Sequence, residues 1–186
     1  MKTVKEIIDG VLAVEGEKFT NDPSDSGGAT KWGVTQRVAA EHGITDVSKL
    51  TRDQAYSIYY QEFVVAPKFD TILAIAPLTA AELVDTGVNC GPSVPSRWLQ
   101  EWLNALNNQG ASYPDIGEDG KLGAQTFNAL RAYIKLRGPE GDAALAVALN
   151  CDQGVYYKNL SRRRQKDEKF VYGWLKNRVL DQVRDL

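Results

Sequence analysis

The sequence predicts a mainly α-helical fold with one small β-hairpin. Capping-box patterns precede two helical segments, at Thr3 with Glu6 and at Thr51 with Gln54, and apolar residues then recur at helical spacing. The clear strand signals are confined to residues 17–34, where short alternation meets a Gly-Gly pair. Helices therefore outnumber strands, and the 186 residues suit one compact domain or two small ones.

The first predicted helix ends in a carboxylate, Glu15. This residue is followed by Gly16, which suits a helix end, and it shares a helical face with four apolar residues: Val4, Ile8, Val11 and Leu12. A carboxyl group on that face points at the core, and burial raises the pKa of a carboxyl group. We therefore expect Glu15 to keep its proton near neutral pH and to serve as a general acid.

A loop dense in turn-forming residues follows, from position 21 to position 28. Its Gly27-Gly28 pair can take positive φ in a tight hairpin, and residues 30–34 then alternate as in a short strand. Such a hairpin can bring three polar side chains back opposite Glu15: Asp22, Asp25 and Thr30. A protonated acid that faces an ionised carboxylate across a cleft is the arrangement that glycoside hydrolysis requires.

Motifs over residues 15–35 resemble the opening of glycoside hydrolase family 108: Glu-Gly, Asn-Asp-Pro, Asp, Gly-Gly-Ala-Thr and Trp-Gly-Val-Thr. Members of that family are lysozyme-like N-acetylmuramidases, found mainly as phage endolysins. The usual Glu-Gly-Gly of the family reads Glu-Gly-Glu here, with Glu17 in the third position, and the acid itself is kept. The resemblance implies a lysozyme-like fold with the hairpin at the active-site cleft, and it implies Glu15 as the catalytic acid.

The second catalytic carboxylate is left open between two aspartates. The related phage-type lysozymes carry an acid nine residues after the glutamate and a threonine fifteen residues after it. Thr30 has the second spacing, whereas the first spacing falls on Ser24, which lies between Asp22 and Asp25. We favour Asp25 as the second carboxylate. Asp22 is then expected to fix the turn or to contact substrate, and Thr30 to position the attacking water.

Two motifs in the rest of the chain also resemble this family. The predicted central helix from Pro77 carries Asp85 and Asn89 before Gly91-Pro92, and that pattern implies that Asn89 faces the substrate cleft. Further on, Asp-Gly-x-x-Gly-x-x-Thr at residues 119–126 resembles the signature of small peptidoglycan-binding modules that are appended to these hydrolases.

These motifs predict how the chain is divided. A lysozyme-like catalytic part takes residues 1–92, and a helical peptidoglycan-binding part takes residues 93–186, packed with the first into one body. Ser96 is expected to cap the first helix of the second part. Gly138-Pro139 is expected to break a later helix.

Composition and charge disfavour several other classes of protein. A net charge of −2 gives no overall signal for nucleic acid binding, and no apolar run approaches the ~18 residues of a membrane span. Because Glu6 and Asp9 interrupt the N-terminal segment, we expect no signal peptide, synthesis in a bacterial host cytoplasm, and release to the cell wall by a holin-type route.

His42 is the only histidine, so zinc chemistry is disfavoured and we expect no metal or cofactor. Cys90 and Cys151 are expected to be free and buried.

A basic segment lies near the C-terminus. Residues 158–178 hold eight Lys or Arg against two acids, Asp167 and Glu168. An apolar stripe predicts a terminal amphipathic helix that docks on the body through Trp174, Leu175 and Val179. The charges fit attraction to an anionic outer-membrane surface or binding to nucleic acid, and we favour the former. We expect a monomer whose partner is peptidoglycan.

The resemblance and the residues together predict one reaction. Glu15 protonates the leaving oxygen of the β-1,4 bond between N-acetylmuramic acid and N-acetylglucosamine. Asp25, or Asp22, stabilises the developing positive charge or orients the attacking water, which Thr30 positions. The alternatives are a phage structural protein that binds the wall without cutting it, and a bacterial muramidase that serves protein secretion.

Overall fold

The computed structural model describes residues 1–21 and 28–184. Within them the chain forms two compact units, one of residues 5–66 and one of residues 1–4 with 67–186. Helices dominate both units, and a two-stranded sheet belongs to the first. The predicted mainly α-helical fold with a small β-hairpin is therefore confirmed, whereas the division at residues 92 and 93 stays a prediction.

The unit of residues 5–66 consists of short helices and the hairpin. In chain order the elements are α1 (Val4–Glu15), β1 (Thr30–Lys31), β2 (Val34–Thr35), α2 (Gln36–Glu41), a 3-10 turn (Val47–Lys49), α3 (Arg52–Tyr60) and a π-helical turn (Gln61–Val65). The predicted apolar face of α1 is confirmed, because Ile8 and Leu12 are fully buried. The capping box of α3 is also confirmed, since Thr51 and Gln54 each accept a hydrogen bond from the backbone N–H of the other.

The hairpin of β1 and β2 turns at Trp32 and Gly33. Lys31 and Val34 pair directly across it, which leaves a two-residue turn. Both turn residues have positive φ, 55° and 72°, as the tight turns that suit a twisted hairpin require. The prediction of one alternating strand through residues 30–34 is therefore wrong, because the glycine lets the chain reverse inside that stretch.

A longer loop is closed by Thr20 and Thr30. The N–H of each residue donates to the carbonyl oxygen of the other, at N···O distances of 2.9 and 2.8 Å, in an antiparallel bridge. Thr20 and Thr30 therefore lie side by side. Gly28 has the positive φ predicted for it, and Gly27 lies outside the described residues.

The unit of residues 1–4 and 67–186 contains the three longest helices of the described chain, α5, α6 and α7. In chain order its elements are α4 (Phe69–Leu73), α5 (Pro77–Cys90), α6 (Ser93–Ala105), α7 (Ala124–Arg163), α8 (Glu168–Trp174) and α9 (Asp181–Val183), with a 3-10 turn (Gln165–Asp167) before α8 and a π-helical turn (Leu175–Leu180) after it. α5 is buried along residues 79–87, which confirms its predicted burial.

The start of α6 differs from the prediction. The helix begins at Ser93, so the predicted cap at Ser96 is wrong. Pro92 already has helical backbone angles, φ −63° and ψ −25°, and it therefore starts the helix one turn earlier. The Ser96 hydroxyl donates to the Pro92 carbonyl at 2.8 Å, inside the first turn.

Asp142 caps α5 from beyond a break in α7. Gly138, with φ 62° and ψ −154°, is non-helical and precedes Pro139, so the predicted break is confirmed. The carboxylate of Asp142 accepts hydrogen bonds from the N–H groups of Leu78 and Thr79 at 3.0 and 2.8 Å, and from the Thr79 hydroxyl at 2.7 Å. The residue before α5 is an alanine, so Asp142 takes the place of the usual N-cap side chain.

The Asp-Gly motif before α7 is anchored on α6 through Gln100. The amide nitrogen of this buried side chain donates to Asp119 Oδ1 and to the Lys121 carbonyl at 3.1 and 3.2 Å, and its oxygen accepts from the Gly120 N–H at 2.8 Å. The Thr126 hydroxyl lies 3.4 Å from the same nitrogen. The motif therefore forms a fixed turn that leads into α7.

The basic C-terminal segment docks on the helices of its own unit, as predicted. The rings of Trp174 and Tyr157 lie with centroids 5.1 Å apart, and Arg178 forms a 2.7 Å ion pair with the buried Asp85. Leu175 is 39% exposed, so its predicted place in the docked face is wrong. A π-helical turn begins at this residue, so the α-helical spacing that the predicted stripe assumes does not continue from Leu175 to Val179.

The two cysteines are free thiols. Cys90 is half-buried and Cys151 is exposed, so the predicted burial is wrong for Cys151. Among the described residues, no helix combines the length and the apolar character needed to cross a membrane.

Candidate active site

Glu15, the predicted catalytic acid, is the last residue of α1. Gly16 has a φ of 69°, and its N–H donates to the Leu12 carbonyl at 2.9 Å, so the chain turns away directly after Glu15. The expectation that Glu15 is buried is wrong, because the residue is exposed. A side chain in the final turn can extend past the packed surface, so its place on an apolar stripe does not ensure burial.

The Glu15 side chain lies against the hairpin turn. A Cβ atom placed on Gly33 would be 2.8 Å from Glu15 Cγ and 3.0 Å from Glu15 Cδ, and it would also overlap the hydroxyl oxygen of Tyr59. Only glycine therefore fits at this position without a shift of its neighbours. Glu15 and Tyr59 border the same small space, which exists because Gly33 has no side chain.

Tyr59 enters this space from α3. The residue is 8% exposed, and its ring stacks on Phe63 with centroids 5.7 Å apart. Burial raises the pKa of Tyr59 to about 12, and the charge of Glu15 adds to the shift. The hydroxyl therefore keeps its proton near neutral pH. The sequence favours packing for Tyr59, although the family resemblance places its region along the substrate cleft. The Trp32-Gly33 turn that Tyr59 approaches was not predicted.

Thr30 lies in β1, next to the turn. Its backbone is paired with Thr20 on one side and with β2 on the other, and its hydroxyl donates to the Gly28 carbonyl at 3.3 Å. Thr30 is thereby tied to Gly28. Asp22 and Asp25 lie outside the described residues, so the choice between them stays a prediction, as does the role of Thr30.

Asn89, the other predicted substrate contact, belongs to the last turn of α5. The residue is exposed, and its amide nitrogen donates to the Asp85 carbonyl at 2.8 Å, one turn back along the helix. That bond orients the side chain without burying it. Contact between Asn89 and substrate stays a prediction.

Comparison with known proteins identifies both parts of the chain. Residues 8–91 match the family model described as Glycosyl hydrolase 108. This chain therefore carries a glycosyl hydrolase 108 domain. Residues 94–179 match a model described as Predicted Peptidoglycan domain, so the glycosyl hydrolase 108 domain is followed by a peptidoglycan domain. The protein is accordingly a glycoside hydrolase whose substrate is peptidoglycan.

The fold is shared with a solved structure titled Structure of Brucella abortus SagA. That protein is 20% identical to this one, and the match covers 97% of this chain and 92% of that chain with a TM-score of 0.62. At this identity the likeness shows the fold alone, and the fold is lysozyme-like, as predicted. No curated protein matches the chain.

Proposed function

We propose that this glycosyl hydrolase 108 protein is an N-acetylmuramidase that cuts the β-1,4 bond between N-acetylmuramic acid and N-acetylglucosamine. Glu15 gives its proton to the glycosidic oxygen as the bond from that oxygen to the sugar carbon breaks. A water molecule supplies the hydroxyl that ends on the sugar. Asp25, or Asp22, stabilises the positive charge or orients that water, and Thr30 positions it.

The position of Glu15 carries this proposal. The carboxyl group stands at the end of a helix, accessible to a substrate, and it lies against a hairpin turn inside the segment that matches Glycosyl hydrolase 108. The same hairpin follows the loop that holds both candidate aspartates. The acid and its partner loop therefore come from neighbouring stretches of one compact unit.

Glu15→Gln tests the acid. Purified peptidoglycan is digested, and new reducing ends are counted and located by mass spectrometry. We expect a loss of about a hundredfold to ten-thousandfold in rate, and wild-type products with reducing ends on muramic acid. Glu17→Gln is the matched control, because Glu17 is an exposed carboxylate two residues away that lies 3.8 Å from Lys31. Full activity of a folded Glu15→Gln protein would refute the role of Glu15, and reducing ends on glucosamine would refute the bond.

The two aspartates are separated by the same assay. Asp25→Asn is expected to lose more of the turnover rate than Asp22→Asn, since a carboxylate at the reacting centre acts in the transition state and a turn residue acts through position. The reverse order would assign the second catalytic carboxylate to Asp22.

We propose that the enzyme serves host lysis as a phage endolysin that reaches the wall by a holin-type route. The family resemblance supports this role, and a bacterial muramidase used in secretion is the alternative. Expression in a Gram-negative host with and without a co-expressed holin tests it. Lysis only with the holin fits the proposal, and lysis without it refutes the route.

We also propose that the basic segment attracts the monomeric enzyme to an anionic outer-membrane surface rather than to nucleic acid. Arg162, Arg163 and Arg164 are exposed, and Phe170 and Tyr172 beyond them are 48% and 77% exposed. Sedimentation with vesicles of anionic or zwitterionic lipid measures the effect, and binding to anionic vesicles should weaken with salt. Equal binding to both kinds of vesicle would refute it.

A further inference from the structure

The space beside the hairpin turn has a second polar wall. Glu15 borders it from the exposed side, where its Cδ atom is 3.0 Å from the position that a Gly33 Cβ would take. The Tyr59 hydroxyl borders it from the buried side and would overlap that same Cβ. The backbone of Gly33 has a φ of 72° in a two-residue turn, so both its conformation and its lack of a side chain are required here.

The phenol of Tyr59 is held in a fixed place. The residue is 8% exposed, and its ring stacks on that of Phe63 at an interplanar angle of 24°. Its neighbours Ala55 and Ile58 on α3 are buried as well, so the helix face that carries the ring is packed. The phenol therefore cannot swing away from Gly33 without leaving a packed site.

We propose that Tyr59 is a positioning residue for Glu15, an inference that rests on the proposed role of Glu15 as the acid. When Glu15 has given its proton to the glycosidic oxygen, it is a carboxylate, and the Tyr59 hydroxyl donates a hydrogen bond to it. Tyr59 keeps its own proton throughout, so the proton balance of the reaction is unchanged. Such contacts are often long in the free enzyme and shorten when substrate is bound.

The bond would act on turnover more than on substrate binding. It strengthens as charge develops on Glu15, and a hydrogen bond to a charged group is stronger than one to a neutral group. An interaction of this kind lowers the barrier of the chemical step and leaves the affinity for substrate nearly unchanged.

Tyr59→Phe is the first test, with soluble peptidoglycan strands as substrate. We expect kcat to fall about tenfold to a hundredfold while KM stays within about twofold. Tyr133→Phe is the control, because it also removes a buried hydroxyl, one that donates to the Gly141 carbonyl at 3.0 Å. Unchanged kcat in Tyr59→Phe, or an equal loss in both variants, would overturn the proposal.

A pair of glycine variants provides the second test. Gly33→Ala and Gly43→Ala place a side chain at similar positive φ, 72° and 78°, so the backbone strain is matched. A Cβ at Gly43 would meet no described atom within 4 Å, whereas one at Gly33 enters the space shared by Tyr59 and Glu15. We expect a large loss of kcat at Gly33 alone.

The double variant measures whether the two residues act together. The fold-loss of kcat in the Gly33→Ala, Tyr59→Phe double variant should be smaller than the product of the two single fold-losses, because both changes disturb the same contact. Adding Tyr59→Phe to Gly43→Ala should give the full product. Multiplicative effects in both pairs would show that Gly33 and Tyr59 are independent and would overturn the proposal.

The activity of Glu15→Gln distinguishes a failure of the proposed function from a failure of the positioning role of Tyr59. If Glu15→Gln is fully active, the proposed function fails whatever Tyr59→Phe does. If Glu15→Gln is inactive and Tyr59→Phe behaves as wild type, the acid stands and only the positioning role of Tyr59 fails.

Discussion

Glu82 is a carboxylic acid in the buried centre of α5. Its side chain is inaccessible to solvent, with Oε1 3.2 Å from the Thr86 hydroxyl and Oε2 3.4 Å from the Asn150 amide nitrogen. Burial, and after it the charge of Asp85, raise the pKa of Glu82 to about 8, against the two hydrogen bonds, which lower it. Near neutral pH the folded protein therefore holds this group as a neutral acid.

The sign of the effect on stability follows from proton binding. In the unfolded chain the Glu82 carboxyl group has the ordinary glutamate pKa of 4.5. Between about pH 4.5 and about pH 8 the folded state keeps a proton that the unfolded state releases, so the free energy of unfolding falls as pH rises through this window. Above the window both states are ionised, and the fall stops. One pKa unit corresponds to about 1.4 kcal/mol, so the effect at pH 7 is on the order of 3 kcal/mol.

Glu82→Gln removes this titration while keeping the shape of the side chain. Urea denaturation of both proteins at pH 5, 6, 7 and 8 gives the difference in free energy of unfolding at each pH. As pH rises, we expect the free energy of unfolding of the variant to increase relative to that of the wild type. The increase should be about 1.4 kcal/mol per pH unit through the middle of the window. Other carboxyl groups with lowered pKa, such as the half-buried Asp9 and Asp181, contribute to both proteins and cancel in the difference. A difference that stays constant with pH would refute the reasoning.

Two further substitutions test the unit that contains α5. Asp142→Ala leaves the N–H groups of Leu78 and Thr79 without their acceptor, and the Thr79 hydroxyl keeps only the backbone carbonyl of residue 142, at 3.4 Å. We therefore expect urea denaturation to show a loss of about 3 kcal/mol, and a loss under about 1 kcal/mol would contradict the capping role. Gly120→Ala would place a Cβ 2.7 Å from the Ser93 carbonyl oxygen at a φ of 72°, so we expect thermal unfolding to show a loss above about 2 kcal/mol. Gly110→Ala, at a φ of 81° and with open space in the described structure, should cost only about 1 kcal/mol, and equal losses would contradict the clash.

The sequence predicted the features that depend on neighbouring residues. The Thr51 capping box, the start of α5 at Pro77 and the break at Gly138 each depend on a few consecutive positions. Their energies come from local hydrogen bonds and fixed backbone angles, so a short stretch of sequence is sufficient to specify them. The start of α6 was missed for a local reason too, since Ser93 and Ser96 both suit a helix start and Pro92 decides between them.

The arrangement of the candidate site could be predicted only in part. The helical stripe correctly placed Glu15 at the end of α1, but burial in the last turn depends on what packs there. The turn at Trp32 and Gly33 was missed because a tryptophan at positive φ is uncommon, and the pairing of Lys31 with Val34 enforces it. Tyr59 and Gly33 are far apart in sequence, so no pattern of neighbouring residues predicts that they lie close together.

The exposure of Glu15 changes the point in the reaction at which its carboxyl group can lose contact with water. A core-facing carboxyl group would be desolvated in the resting enzyme, whereas an exposed one meets water until a glycan strand covers it. In the proposed mechanism, substrate would exclude water from the outer side of Glu15, while the buried phenol of Tyr59 already occupies the inner side. If Glu15 is the acid, we expect the free energy of binding along the strand to be coupled to the chemical step, so that contacts far from the scissile bond contribute to turnover as well as to affinity.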